Sequence, residues 1–239
     1  MFPFRDHNPS ERTPVVVYGL IALNAAVFLV TLPMEGTREI FAFYDAWAMI
    51  PGEIAQGRDL HTLLTYQFIH AGWMHVIGNM LFLYVFGDNL EDEMGHVGFL
   101  LFYLGTGVLA AAAEYLVDPA SGVPTVGASG AVAGVMGGYL LLFPRAKVDT
   151  LIVWVLVPLR AWIVLGLWFA IQIGQGVISL SGPAEVAYWA HAGGFAAGVL
   201  ATVPVWLRLG GPGFWARTAG HPPHPETRVG SSRVPVVRR

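Results

Sequence analysis

The chain has 239 residues, of which 55% are hydrophobic and only 12% are charged. Soluble proteins carry about 25% charged residues, so this composition, with a mean hydropathy of +0.57, indicates a protein that lies largely in lipid. A net charge of -3 without a basic stripe excludes nucleic-acid binding, and zero Cys excludes disulfides, thiolate catalysis and Cys-ligated zinc.

Six apolar runs predict an all-α membrane protein. Each is long enough, or nearly long enough, to cross about 30 Å of hydrocarbon. They lie at residues 15–33, 73–90, 96–117, 128–143, 161–180 and 187–207. Residues 14–208 are therefore predicted to form a membrane domain of six transmembrane helices.

The remaining segments are polar or too short to span. Residues 1–13 are polar and contain Pro, so we expect a cytoplasmic N-terminal segment and no cleavable signal. Residues 34–72 mix charged and aromatic side chains, which predicts an amphipathic first loop on the membrane surface. The apolar run at 150–158 favours an interfacial or re-entrant piece, or else an extension of the fifth helix. Residues 209–239 are rich in Gly, Pro and Arg and predict a disordered cytoplasmic tail.

The distribution of Lys and Arg predicts the orientation. With the N-terminus inside, eleven of these residues lie on the cytoplasmic side, and only Arg38 and Arg58 lie outside. We therefore expect a multi-pass protein of the plasma membrane with both termini in the cytoplasm.

Polar side chains in three of the predicted helices are the candidate functional residues, because such groups are costly in lipid. They are His75 and Asn79 in the second helix, Ser129 in the fourth and His191 in the sixth. Counted from the charged residue at each cytoplasmic helix end, His75, Ser129 and His191 all lie about 24–26 Å above the inner boundary. His75 and Asn79, spaced i, i+4, share a helix face. The matched depth predicts one water-accessible layer.

Close helix packing is the alternative interpretation of the serine. Gly127, Gly130, Gly134 and Gly138 surround it with small residues, and small-xxx-small patterns by themselves indicate packing. A lone histidine or asparagine in a helix is likewise often structural. The coincidence of four polar groups in one layer favours a site instead.

The chemistry of that layer follows from its residue types. A serine needs a base, and neutral histidine is the usual base near pH 7. No carboxylate lies close to His191 in sequence, since Glu185 is six residues upstream, so a Ser/His dyad is favoured over a triad. Ser129 opens its helix, so its backbone N–H is free to bind an oxyanion, with Asn79 and His75 as side-chain donors.

These segments resemble the rhomboid family of intramembrane serine proteases. The resemblance covers about residues 14–208 and rests on "GASG" around Ser129, "AHAGG" around His191 and "HAGWMHVIGNMLFLYVFGDNLED". It implies that Ser129 is the nucleophile, that His191 is the base, and that His75, Asn79 and the Ser129 N–H form the oxyanion hole.

The resemblance also implies a structural role for Glu91, and it has two departures. Glu91 matches an acidic position at the cytoplasmic end of the second helix. Some members have Trp-Arg in the first loop, where this chain has His61 and Thr62. Some have an aromatic residue packed on the catalytic histidine, where this chain has Ala133, so the group that fixes His191 has to be another residue.

The resulting prediction is a serine endopeptidase that cuts single-span membrane proteins in or near the outer part of their helix. Its expected partners are such substrates and the lipid bilayer. No cofactor or metal is expected, because the histidines of "HAGWMH" are spaced i, i+5 and no H-E-x-x-H occurs. The alternatives are an inactive rhomboid-like protein that binds membrane clients and a small transporter. The sequence predicts no oligomeric state.

Overall fold

Long apolar helices dominate the computed structural model, which describes residues 2–182 and 186–223. The elements in chain order are β1 (Phe2–Asp6), α1 (Val15–Thr31), a 3₁₀ turn (Leu32–Met34), α2 (Glu39–Trp47), α3 (Pro51–Ile54), α4 (Thr62–Thr65), a second 3₁₀ turn (Tyr66–Phe68), α5 (Trp73–Val117), α6 (Ser129–Leu142), β2 (Lys147–Ile152), β3 (Val155–Arg160), α7 (Ala161–Ser179), α8 (Tyr188–Arg208) and α9 (Pro212–Thr218).

Four helical stretches in the described residues are long and apolar enough to cross a membrane, which makes the chain an integral membrane protein. They are Val15–Met34, Trp73–Val117, Ala161–Ser179 and Tyr188–Arg208. The 45 residues of α5 would extend over about 67 Å, more than twice the hydrocarbon thickness. The helix is interrupted at Gly95, whose φ of 72° and ψ of 163° are not helical. Both apolar runs predicted at 73–90 and 96–117 thus lie in α5, one on each side of this break.

The shortest of the apolar helices, α6, lies at the centre of the protein. Every residue from 130 to 139 is buried, and α5 and α8 pack against it. A helix that is apolar on all sides must be enclosed by other helices or by lipid. Here protein encloses it, so Ser129 at its first position lies inside the bundle.

A buried glutamate within α5, Glu91, joins this helix to α1. Glu91 is 2% exposed, and its two carboxylate oxygens accept hydrogen bonds from the backbone N–H groups of Val16 and Val17, each at 2.9 Å. His96 Nδ1 lies 2.6 Å from the same carboxylate. Free N–H groups at a helix start need acceptors, and Glu91 supplies them to α1 from another helix.

The prediction of an all-α protein is wrong in one respect, because three strands form an antiparallel sheet in the order β1-β2-β3. The run at 150–158 neither re-enters as a helix nor extends α7. It forms a hairpin in which Lys147 pairs with Arg160 and Ile152 pairs with Val155. β-branched residues are abundant in this run, and they favour a strand over a helix. The N-terminal strand β1 pairs antiparallel with β2, and Arg5 and Asp149 also form an ion pair at 2.7 Å.

The prediction that disorder begins at residue 209 is also wrong. Helix α9 follows α8 after a short turn, and Trp215 Nε1 donates to the carbonyl of Leu141 at 3.1 Å. The backbone N–H of Arg145 donates to the carbonyl of Gly220 at 2.8 Å. These contacts give the segment a docking site that its composition does not reveal. Residues 224–239 of the predicted tail lie outside the described residues.

The first loop consists of short helices that are hydrogen-bonded to one another. His61 Nε2 lies 2.9 Å from the carbonyl of Ala46, and Thr65 Oγ1 donates to the carbonyl of Trp47 at 2.7 Å. The ring of Trp47 packs edge-on against His61 at 5.6 Å. His61 therefore supplies hydrogen bonding within the loop, although it replaces the aromatic residue that some rhomboids have there.

We predict that docking of the N-terminal strand weakens at alkaline pH. Asp6 accepts a hydrogen bond from Tyr139 Oη at 2.6 Å, and burial, together with the charge of Asp88, raises the pKa of Asp6 from 3.8 to about 8. A raised pKa means that the stabilising effect is full below the unfolded value and is lost as pH rises through the folded value. Hydrogen exchange of residues 2–8, corrected for intrinsic rates, should show less protection at pH 9 than at pH 6.5.

The control for this prediction is Asp6→Asn, which keeps a polar side chain without an ionisable group. Protection in the variant should be nearly independent of pH over the same range. An equal loss of protection in both proteins would assign the effect to another group and contradict the prediction.

Candidate active site

The serine and the histidine that the sequence places at one depth are in direct contact. Ser129 is the first residue of α6, and His191 lies in the first turn of α8. Ser129 Oγ lies 2.7 Å from His191 Nε2. This distance is within the range for a nucleophile and its general base.

Glycines set that distance by letting the backbones of α6 and α8 touch. A Cβ on Gly194 would overlap the carbonyl oxygen of Gly130, and a Cβ on Gly198 would overlap that of Gly134. The two contacts recur after four residues on each helix, so they fix both the separation and the register of the pair. The small residues thus do pack helices, as the alternative interpretation held, but Ser129 Oγ makes a separate contact with His191.

A glutamine that the sequence reasoning missed holds the other side of the imidazole. His191 Nδ1 lies 2.8 Å from Oε1 of Gln172, a residue of α7 that is 7% exposed. An amide oxygen can only accept, so Nδ1 carries the proton and Nε2 is left to accept the Ser129 hydroxyl. Gln172 Nε2 lies 3.4 Å from the carbonyl of Trp168, which orients the amide. The sequence did contain a signal for Gln172, because it is one of the few polar residues in the apolar run at 161–180.

Aromatic packing on His191 comes from α7 and α8 and not from α6. The ring of Trp168 lies 5.8 Å from that of His191 at an interplanar angle of 34°, and Phe195 stacks on Trp168 at 6.2 Å. Ala133, the position that is aromatic in some rhomboids, is fully buried. Trp168 and Gln172 together therefore fix the ring in this chain.

The two other predicted residues line a cleft that opens beside the serine. Its volume is about 610 Å³, and its walls include His75, Asn79, Ser129, Trp168 and His191. Asn79 is 8% exposed, and its Nδ2 is buried with no hydrogen-bond partner among the described residues. An unpaired buried donor is costly, so this amide is suited to an acceptor that arrives with a ligand.

Gly127 allows His75 to approach the loop before α6. Its φ is +124°, which disfavours other residues, and a Cβ there would lie 2.5 Å from His75 Nε2. A second histidine, His70, supports this region. Its ring lies 5.0 Å from that of His75, and its Nε2 accepts the backbone N–H of Ala128 at 3.4 Å. This role of His70 was not predicted from the sequence.

The nearby carboxylate of α5 serves the helix that carries the histidine. Glu114 Oε2 accepts the backbone N–H of Ala190 at 2.8 Å, so it caps the start of α8. The ring nitrogens of His191 are hydrogen-bonded to Gln172 and Ser129. Glu185 lies outside the described residues. In residues 2–182 and 186–223, no three His, Cys, Asp or Glu side chains are grouped so that they could hold a metal ion.

Comparisons with known proteins match this architecture to one family. The family model described as "Rhomboid domain" matches residues 57–208. The chain is 30% identical to "RHOMBOID-like protein 12, mitochondrial" of Arabidopsis thaliana over 213 residues. This match covers 81% of this chain and 58% of the relative. It is 31% identical to "Rhomboid-like protein 11, chloroplastic" of the same plant over 134 residues. This match covers 54% of this chain and 43% of the relative.

A bacterial relative gives a similar match. The chain is 32% identical over 130 residues to "Putative rhomboid protease YdcA" of Bacillus subtilis (strain 168), which is 54% of this chain and 62% of the relative. The chain thus spans about half the length of the curated relatives that it matches, with 43%, 58% and 62% covered in these three.

We predict that Gly198→Ala destabilises the protein by separating α6 from α8. The added methyl group would overlap the backbone of Gly134, which cannot rotate away as a side chain can. Overpacking of this kind costs about 1–3 kcal/mol. The thermal unfolding temperature in detergent should therefore fall.

The matched control is Gly166→Ala, also in a membrane helix, where nothing lies within 4 Å of the added Cβ. Its unfolding temperature should stay the same or rise, because Ala favours helix over Gly by about 1 kcal/mol. Equal unfolding temperatures for the two variants would mean that the α6–α8 contact does not set the helix separation.

Proposed function

The chain belongs to the rhomboid family, and from that premise we propose that it is an intramembrane serine endopeptidase acting through a Ser129/His191 dyad. The observation that carries the proposal is the 2.7 Å contact between Ser129 Oγ and His191 Nε2 inside a helical bundle. Its substrates are single-span membrane proteins, cut in or near the outer part of their transmembrane helix.

In the proposed mechanism, Ser129 Oγ attacks the carbonyl carbon of the scissile bond while its proton passes to His191 Nε2. The resulting imidazolium gives that proton to the leaving amine as the C–N bond breaks, which leaves an ester on Ser129. A water molecule, deprotonated by the same nitrogen, then attacks the ester and releases the acid product. Each proton that His191 takes is returned, so the dyad is restored after one turnover.

Three donors are proposed to stabilise the negative oxygen of each tetrahedral intermediate. The backbone N–H of Ser129 lies at the start of a helix, where it has no intrahelical acceptor and where the helix dipole is positive. The unpaired Asn79 Nδ2 and the ring of His75 line the same cleft. Donors that are fixed before the reaction lower the barrier without a reorganisation cost.

Gln172 is proposed as a positioning residue. Its neutral amide oxygen holds Nδ1–H of His191 at 2.8 Å, as an aspartate does in a triad, but without a negative charge. It therefore orients the ring and selects the tautomer, and it offers the imidazolium a dipole in place of an ion pair.

The proposed topology has six transmembrane helices, with two of them in α5 on either side of Gly95. Residues 14–208 form the membrane domain, the first loop lies on the outer membrane surface, and both termini are cytoplasmic. The excess of Lys and Arg on one side supports this orientation. We propose the plasma membrane as the location. Mitochondrial and chloroplast membranes, which appear in the names of two relatives, are the alternative.

A rhomboid-like protein that binds membrane clients without cutting them is the second candidate function. Such a protein has no need for a serine hydrogen-bonded to a histidine beside an unpaired amide. The presence of both features favours the protease. A transporter is expected to contain inverted repeats, and the sequence shows no repeat of fixed period.

We predict that Ser129→Ala abolishes cleavage of a transmembrane reporter in liposomes. Removal of the nucleophile of a serine hydrolase lowers kcat by a factor on the order of 10⁴ or more. The folded bundle should persist, because the variant loses one hydroxyl at the cleft. Cleavage at the wild-type rate by a correctly folded variant would refute the proposed nucleophile, and a chelator should have no effect on the wild type.

We predict that Asn79→Ala, or Ala in place of His75, lowers kcat by about 10²–10³-fold, the usual effect of losing one oxyanion donor. The unfolding temperature should change little for Asn79, because its Nδ2 has no partner to lose. Asn24→Ala is the matched control. Asn24 is fully buried in α1, and its Nδ2 donates to the carbonyl of Leu20 at 2.7 Å. Asn24→Ala should lower stability and leave kcat unchanged, and the same pattern in Asn79→Ala would assign Asn79 to packing.

We predict that Gln172→Leu lowers kcat by about 10²-fold, the scale of a misplaced catalytic group, with KM nearly unchanged. Gln172→Glu restores an acceptor oxygen and should recover part of the loss. The rate at which a fluorophosphonate labels Ser129 should follow kcat across these variants. Equal kcat values in the wild type and the Leu variant, at equal stability, would contradict a positioning role.

A further inference from the structure

Among the described residues of the sheet, the most exposed large apolar side chains lie in the turn between β2 and β3. We call residues 152–156 the hairpin tip. Val153 is 79% exposed, Trp154 is 89% exposed and Val155 is 63% exposed. Val148 and Thr150 nearer the base are fully buried, so the exposed apolar surface of the β2–β3 hairpin lies mainly at its tip. A tryptophan and two valines in water are unfavourable, which indicates that something covers them.

The residues of the turn are unusual for a turn in water. Val153 has a φ of 57°, a conformation that is uncommon for a β-branched residue. A two-residue hairpin turn with positive φ at its first central residue normally has Gly there, which is free of this strain. The chain has Val-Trp at this place. An apolar environment for the tip accounts for the apolar composition of this turn.

The base of the hairpin is fixed to two membrane helices. The backbone N–H of Ala161 donates to the carbonyl of Ala146 at 2.8 Å, and that of Trp162 donates to the carbonyl of Pro144 at 2.9 Å. Helix α6 ends at Leu142, and α7 begins directly after β3. Strands of six residues extend over about 20 Å, so the tip cannot lie farther than that from the helix ends.

Large apolar side chains are also exposed on α7, the helix that directly follows β3. Trp162 is 55% exposed, Leu167 is 49% exposed and Ile171 is 49% exposed, as expected for the lipid-facing side of a spanning helix. Residues 150–159 contain no charge. Lys147 and Arg160 are paired at the base of the hairpin, and the Arg160 guanidinium donates to the carbonyl of Arg145 at 2.7 Å. The base thus carries two positive charges, which favour the region of anionic headgroups.

We propose that the hairpin tip inserts into the headgroup and upper acyl region of one leaflet, the leaflet at which α6 ends and α7 begins. Phospholipid then covers the apolar side chains of the tip. Trp is enriched at this depth because its ring is apolar and its N–H is polar. The apolar tip then lies at the boundary with the acyl chains, and the cationic base lies among the headgroups. The inference requires a membrane-embedded bundle and is independent of proteolysis.

The chain has no Cys, which permits a direct test. Trp154→Cys supplies a single site for an environment-sensitive fluorophore on the full chain in nanodiscs of phosphatidylcholine and phosphatidylglycerol. Pro9→Cys, at an exposed residue between β1 and α1, is the matched control. Val155→Cys is a second tip variant that guards against a local effect of replacing Trp154.

Insertion predicts that labels at both tip positions emit at shorter wavelength than the control label. It also predicts quenching of the tip labels by phosphatidylcholine with a doxyl group near the headgroup, and several-fold weaker quenching by aqueous iodide. Tip labels that match the control label in emission and iodide quenching would overturn the proposal. Tip labels shielded from iodide but not quenched by doxyl lipid would also overturn it, because they would place the tip against protein, such as a second copy of the chain.

Discussion

The contact between the backbones of α6 and α8 is the constraint on which the rest of the site depends. Gly194 lies on Gly130 and Gly198 lies on Gly134, so no side chain separates the two helices. Lipid gives no hydrophobic drive for helices to associate, and close backbone approach is one of the remaining sources of stability. Because the contact fixes both separation and register, the first residue of one helix meets the first turn of the other. The 2.7 Å distance from Ser129 to His191 is a consequence of that packing.

A second consequence concerns the orientation of the imidazole. Helix α7 brings Gln172 to Nδ1 and the ring of Trp168 to its face, so the histidine is held by three helices. The resulting arrangement has the shape of a catalytic triad with a neutral third member. An ionised carboxylate in the same place would have to be desolvated, which costs more than burying an amide that is hydrogen-bonded. The helical carboxylate nearby, Glu114, caps α8 instead.

The sequence was sufficient for the main helices and for the residues of the cleft, for a specific physical reason. Polar groups in apolar helices are few, and helix rise converts their positions into depths, so Ser129, His191 and His75 could be assigned to one layer. Gln172 was missed because the depth argument was applied to three helices and not to the fifth. Its hydrogen bond depends on how α7 rotates against α8, and helix rise does not specify rotation.

The sheet and the last helix could not be predicted by the same reasoning. β1 and β2 are far apart in sequence, and neither has a short-range signal for the other; Arg5 meets Asp149 only in the folded protein. Apolar content alone does not separate a short strand from a short helix, which is why the strands within residues 150–158 were not predicted. Helix α9 depends on a contact between Trp215 and the carbonyl of Leu141 that composition does not encode.

The measurement that tests the central claim most directly is the site of covalent modification by a fluorophosphonate in the membrane-embedded wild-type protein. Peptide mapping by mass spectrometry should locate one adduct on Ser129, with none on other serines, because among the described serines Ser129 is the one whose hydroxyl is hydrogen-bonded to His191. An adduct on a different serine, or efficient reporter cleavage by protein that the reagent leaves unmodified, would contradict the account.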